Sequence, residues 1–140
     1  MKARVVRLVN RVKLVGLMCL FVMTGTAHAN DVIDDISSCI KGANTKELSK
    51  YFSSTVSMTL VNDEGIYSRV QAEIILRDFF SRNPPTNVKI SHRLDSNPNF
   101  RYVVLNLETA KDTYRVSYKL TNNDNEFKVT EFRIEPVFGN

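Results

Sequence analysis

His92 heads the residues of this chain that could do chemistry, because an imidazole titrates near neutrality and can serve as a general base. It alternates in phase with Val88, Ile90 and Leu94, so it is expected to face the space between a sheet and its covering helices. The competing role is a core histidine bonded to a backbone group or a tyrosine, and no neighbouring acid or nucleophile stands at a spacing that would decide between the two. Tyr67, Tyr102, Tyr114 and Tyr118 are candidates to line a pocket, where an apolar ring with a polar tip suits a small ligand. Tyrosine on a strand is also ordinary packing. Among the acids of the later segments, Glu108, Glu131 and Glu135, the expected inward-facing one is Glu131, just past a break in alternation. Arg133 could hold a carboxylate through its planar fork. Alternatively Arg133 and Arg115 each pair with a glutamate across the sheet.

Other chemistries lack their residues. The sequence has no glycine-rich phosphate loop, no His-Glu-x-x-His, no Cys-x-x-Cys and no Gly-x-Ser-x-Gly. Scattered carboxylates around single histidines do not make the nitrogen or sulfur cluster that metals require, so no metal and no cofactor is expected. Asp31, Asp34 and Asp35 read as the acidic first turn of a helix, because a calcium loop and its glycine are missing.

Those residues need elements to hold them. Ile33, Ile36, Ile40 and Ala43 recur at helical steps and carry Cys39 beside them, with Gly42 as a stop. A short second helix starts at Asn44, with Glu47 three residues on, and buries Leu48, Tyr51 and Phe52. Residues 56–61 alternate as a strand, and Asn62-Asp63-Glu64-Gly65 reads as a turn. Ser68 and Gln71 form a second capping box for a helix with Ala72, Ile75, Leu76, Phe79 and Phe80 on one face, ended by Asn83-Pro84-Pro85. Four strands follow, over residues 88–94, 100–109, 113–121 and 126–137. In the last of them Phe127 and Val129 share one phase while Phe132 and Ile134 share the other, which places a one-residue bulge near Thr130. The class is α+β: N-terminal helices packed on a curved antiparallel sheet of four to five strands.

The order of elements resembles the nuclear-transport-factor-two-like (cystatin-like) cone. More narrowly, Glu64-Gly65-Ile66-Tyr67-Ser68-Arg69-Val70-Gln71-Ala72-Glu73 and Asp78-Phe79-Phe80-Ser81-Arg82-Asn83-Pro84-Pro85 resemble the exported bacterial family known as domain of unknown function 4783. His92, Tyr114-Arg115-Val116 and Phe132-Arg133-Ile134-Glu135 extend the likeness over most of the chain. Arg93 departs from that family's pattern, which usually has glycine after the histidine, and so does the lack of a glycine near Leu105. The resemblance implies a fold and a location but no assigned activity. In isomerases built on this cone a tyrosine and an acid in the pocket do the chemistry.

Residues 1–29 read as a cleavable signal peptide. Lys2, Arg4, Arg7, Arg11 and Lys13 form a cationic start, residues 14–23 are apolar, and Ala27-His28-Ala29 presents small residues at the cleavage positions. The apolar run is well short of the roughly 20 residues that span a bilayer. Bulky Met18 before Cys19 argues against a lipidated cysteine. Cleavage would deliver a periplasmic or secreted single domain, residues 30–140, with no stable membrane anchor. The leader takes the five cations with it, leaving 14 Lys+Arg against 15 Asp+Glu. The basic character of the full chain therefore belongs to the leader, and a nucleic-acid partner loses its cationic footprint. Cys39 would then have no intramolecular partner and is expected in the core, the alternative being a thiol available for pairing between chains.

The expected function is a non-enzymatic binding or accessory domain, holding a small molecule or a protein partner in a pocket between helices and curved sheet. The alternative is a small isomerase- or hydrolase-like enzyme using the same pocket, and the sheet is a possible homodimer face.

Overall fold

The computed structural model describes residues 31–139, so the expected leader lies outside the described residues. Asp31 caps helix α1 (Val32–Lys41): its side chain accepts a hydrogen bond from the Ile33 N–H, and Asp34 and Asp35 fill the first turn. There the exposed N–H groups and the helix dipole favour negative charge. The stripe of Ile33, Ile36 and Ile40 is completely buried. Gly42 is the C-cap but stays right-handed; the left-handed residue is Ala43, at φ 51°. The Asn44 side chain then accepts from Glu47 N–H to start helix α2 (Thr45–Lys50). Helix α3 (Arg69–Arg82) opens on the full reciprocal capping box between Ser68 and Gln71. Among the described residues no helix is long and apolar enough to cross a membrane.

The strands are β1 (Phe52–Leu60), β2 (Asp63–Ser68), β3 (Pro85–Leu94), β4 (Phe100–Thr109), β5 (Thr113–Asn123) and β6 (Glu126–Pro136). They form one six-stranded sheet in the order β2-β1-β6-β5-β4-β3. This corrects the expected four to five strands. It also corrects the all-antiparallel pattern, because β1 and β6 run parallel. The helices are not all N-terminal either, since α3 lies between β2 and β3.

The added strand is β2, whose polar beginning reads as a turn in sequence. The actual turn is tighter, formed at Val61 (φ 57°) and Asn62, so that Asp63 already pairs with Leu60. Gly65 leaves room in this strand for the Tyr67 ring, which folds back across it: a Cβ there would lie 2.8 Å from the Tyr67 hydroxyl, and the ring would have to swing aside. Phe52 leaves the helix to which its apolar neighbours assign it and starts β1, with its side chain fully buried.

Alternation then splits the long strands. Val103, Leu105 and Leu107 of β4, Tyr114, Val116, Tyr118 and Leu120 of β5, and Val129, Phe132 and Ile134 of β6 point at the helices and form the core. The bulge near Thr130 is present: Lys119 pairs with Glu131 and Leu120 with Val129, leaving Thr130 as the extra residue. A second bulge at Ser91 divides β3, since Ile90 pairs with Leu105 and His92 with Val104. Such extra residues bend a strand and reverse its phase.

Candidate functional site

The second bulge decides where the histidine goes. Past Ser91 the phase of β3 is inverted, so His92 is exposed and Arg93 takes the helix-facing side, opposite buried Val103. The expectation that His92 faces the interior is therefore corrected. His92 also stands apart from Glu131. The two belong to different cross-strand rows on strands β3 and β6, with β4 and β5 between them. Three strand spacings put them about 14 Å apart, too far for an acid–base pair.

The Tyr114 and Tyr118 rings are part of the core, although Tyr118 also borders a cleft on the outer face of the sheet. The Tyr114 ring meets Phe79 edge-on at 5.2 Å, and its hydroxyl donates to Asn83 Oδ1 at 3.3 Å. Tyr118 is 1% exposed, stacks on Phe132 at 6.1 Å, and directs its hydroxyl at the Ile33 carbonyl, 3.5 Å away. Burial pushes the Tyr118 phenol up to about 12 and that of Tyr114 in the same direction. With Phe80 also buried, these rings occupy the space expected to hold a ligand.

Tyr67 lies elsewhere, on β2, in a small depression of about 250 Å³ shared with Met58, Leu60, Asp63, Glu64 and Ile75. The remaining candidates meet on the face of the sheet turned away from the helices. Tyr102, Glu131 and Arg133 line a shallow cleft of about 300 Å³ there, with Arg115, Ser117, Lys119 and Glu135. Ser117 and its cross-strand neighbour Val104 are only 6% and 5% exposed, and they make the floor of this face. Glu131 thus points outward, not inward, because the Thr130 bulge restores the phase that buries Phe132 and Ile134.

A second constellation is illegible in the sequence. Asp31 receives hydrogen bonds from Arg93 and from Arg101 Nη1, the latter at 3.0 Å. Arg93 also reaches Asp34 at 3.4 Å and Asp95 at 2.6 Å, which holds the Asp95 carboxyl below its ordinary value. The Arg101 guanidinium lies over the Phe127 ring at 4.2 Å, a cation–π contact. These groups clasp the start of α1 to β3 and β4. The only sequence signal was Arg93 itself, a large cation where the resemblance leads one to expect glycine. Beside the clasp runs a groove of about 610 Å³, lined among others by Asp31, Tyr51, Arg101, Phe127 and Lys128. Lys128 there bonds the Lys50 carbonyl at 2.9 Å. Cys39 is half-buried against the core as a free thiol, and burial raises its pKa. No group of three or more His, Cys, Asp or Glu among the described residues is placed to hold a metal ion.

Residues 33–135 match the family model described as Domain of unknown function (DUF4783). The chain belongs to the DUF4783 family. A solved DUF4783 protein from Bacteroides uniformis is similar to it at TM-score 0.74 and 22% identity, covering 78% of this chain and all of that one. A domain with a cystatin-like fold from Nostoc punctiforme matches at TM-score 0.61 and 10% identity, over 76% of this chain and 73% of its own. A nuclear-transport-factor-two-like protein of unknown function from Shewanella baltica matches at TM-score 0.61 and 12% identity, over 77% and 90%. No curated protein matches the chain. At these identities the likeness establishes the cone fold that the DUF4783 chain shares with them, and fold alone selects no activity.

Proposed function

We propose that this DUF4783 chain is an exported, non-enzymatic binding or accessory domain whose recognition surface is the outer face of the sheet, not the interior of the cone. The observation that carries this reading is the division of the candidate residues. Tyr114 and Tyr118 are consumed by the core, while Tyr102, Glu131 and Arg133 gather in a solvent-open cleft. A catalytic reading would need His92 and an acid to converge on one pocket, and the strand order separates them. Export is supported by the cationic, apolar and small-residue segments of residues 1–29.

Native mass spectrometry of protein recovered from its own cells tests both halves. The expected mass begins at Asn30, with a bound molecule or partner that the charge reversal Arg133→Glu releases while thermal unfolding stays unchanged. A chain still beginning at Met1 overturns the location, and retention of the same partner by Arg133→Glu overturns the choice of face.

A further inference from the structure

On the outer face of β5 and β6 three cross-strand pairs lie in succession: Lys119 with Glu131, Ser117 with Arg133, and Arg115 with Glu135. The two flanking rows set a cation against a carboxylate. The middle row does not, and it sits over the nearly buried Ser117 hydroxyl. Arg133 has no hydrogen bond among the described residues. Its nearest carboxylates, Glu64 and Glu135, are each 4.0 Å away, well beyond the roughly 2.7–2.9 Å of a charge-assisted bond. Its side chain is 48% exposed. A guanidinium carries five donors in a planar fork that matches a carboxylate, and here that fork makes two long ion pairs, to Glu64 and Glu135, and no hydrogen bond at the centre of a cleft.

We infer that Arg133 and Ser117 form a binding site for a single carboxylate group of a small ligand. The inference rests on the outer-face reading above and names its ligand class. The fork accounts for both carboxylate oxygens, and the Ser117 hydroxyl donates to one of them from the floor. Glu131 and Glu135 flank the site on either side. They set its selectivity, because a second negative charge on the ligand would be held beside two fixed carboxylates at short range. The site therefore takes a monocarboxylate in preference to a dianion such as inorganic phosphate. The cleft, at about 300 Å³, has room for a small acid and little more.

The test is a titration, at about pH 8 where inorganic phosphate is mostly the dianion, of protein from expression of the full chain with sodium propionate and, separately, sodium phosphate. Ionic strength is held constant and 1H–15N spectra are recorded. Propionate is expected to shift the Ser117 and Arg133 backbone amides and the Arg133 Nε–H saturably, and phosphate to bind about tenfold more weakly or not at all. Arg133→Gln should lower propionate affinity about tenfold, with Arg133→Lys between it and the parent. Lys111→Gln, which removes an exposed cation outside the cleft, should change it less than about threefold. Ser117→Ala, which only removes the floor hydroxyl, should weaken binding several-fold and serves if the arginine variant fails to fold. Equal affinity in Arg133→Gln, or phosphate matching propionate, overturns the carboxylate assignment. Should Arg133→Gln instead change only the oligomeric state seen in sedimentation, the ligand class fails while the outer face survives as a surface that binds a second copy.

Discussion

The inner and outer faces of β4, β5 and β6 are made by the same residues taken alternately, and the two faces are opposite in composition. Inward, the rows are Leu, Val, Ile, Phe and Tyr at or near zero exposure. Outward, the facing rows carry Lys119, Arg115, Arg133, Glu131 and Glu135 around a small polar floor. Each fully buried large apolar side chain contributes roughly 1.5–3 kcal/mol, whereas an exposed ion pair contributes about 0–1 kcal/mol. Stability therefore resides on one face, and the other is free to be chosen for what it touches. A pocket inside the cone would have to be carved out of the residues that keep the cone folded.

Substitutions can break or sharpen that contrast. The largest effect is expected for Phe132→Ala, which removes the ring packed against both Phe52 and Tyr118. Urea unfolding should show a loss of about 3–5 kcal/mol, and a loss under 1 kcal/mol would mean that the interior is not filled as described. Next comes alkaline titration. Tyr118 keeps its proton in the fold up to about 12, while an unfolded tyrosine loses it near 10. Its raised value makes the contribution fully present below pH ~10 and lost as pH rises to ~12, a change of about 3 kcal/mol. Tyr118→Phe should flatten that decline, measured as midpoint against pH. A smaller loss, about 1–2 kcal/mol, is expected for Asp31→Ala, which removes a helix cap and the acceptor of two arginines together. Asp31→Asn should retain the part due to capping. Smallest of all, Arg133→Gln should leave stability within about 0.5 kcal/mol. A cooperative loss there would show the outer face to be structural.

The sequence discloses this molecule wherever one local rule decides. The isoleucine stripe of α1, the Ser68–Gln71 capping box and the Thr130 bulge all follow from periodicity or from a phase conflict inside one strand. It conceals what the partner strand decides. Residues 62–65 have turn composition, yet 63–65 extend because β1 offers Leu60, Thr59 and Met58 as partners across a tight turn at Val61 and Asn62. The Ser91 bulge leaves no trace in the alternation: Val88, Ile90, His92 and Leu94 run on in one phase, yet only the first two face inward. That single unread residue moves His92 out, brings Arg93 in, and so hides the clasp on Asp31. Of the candidate site, Tyr102 and Arg133 stand out by residue type, while Glu131 stands out by its place past the bulge, which the sequence wrongly turns inward. Their meeting place does not, because it depends on the register of three strands.

The strand order carries a consequence for how the chain reaches this state. β6, made after the other five described strands, lies in the middle of the sheet, holding β1 on one side and β5 on the other. Until it is inserted, β1 and β2 form a lone hairpin and β3 to β5 a separate meander, each with an open edge. The central seam joins residues as remote as Phe52 and Val129. Closing such distant pairs is entropically slow, so folding is expected to be limited by contact order rather than by helix formation. The sheet cannot close before β6 is made, and any chain shortened before Glu126 would present two sticky half-sheets instead of one closed wall.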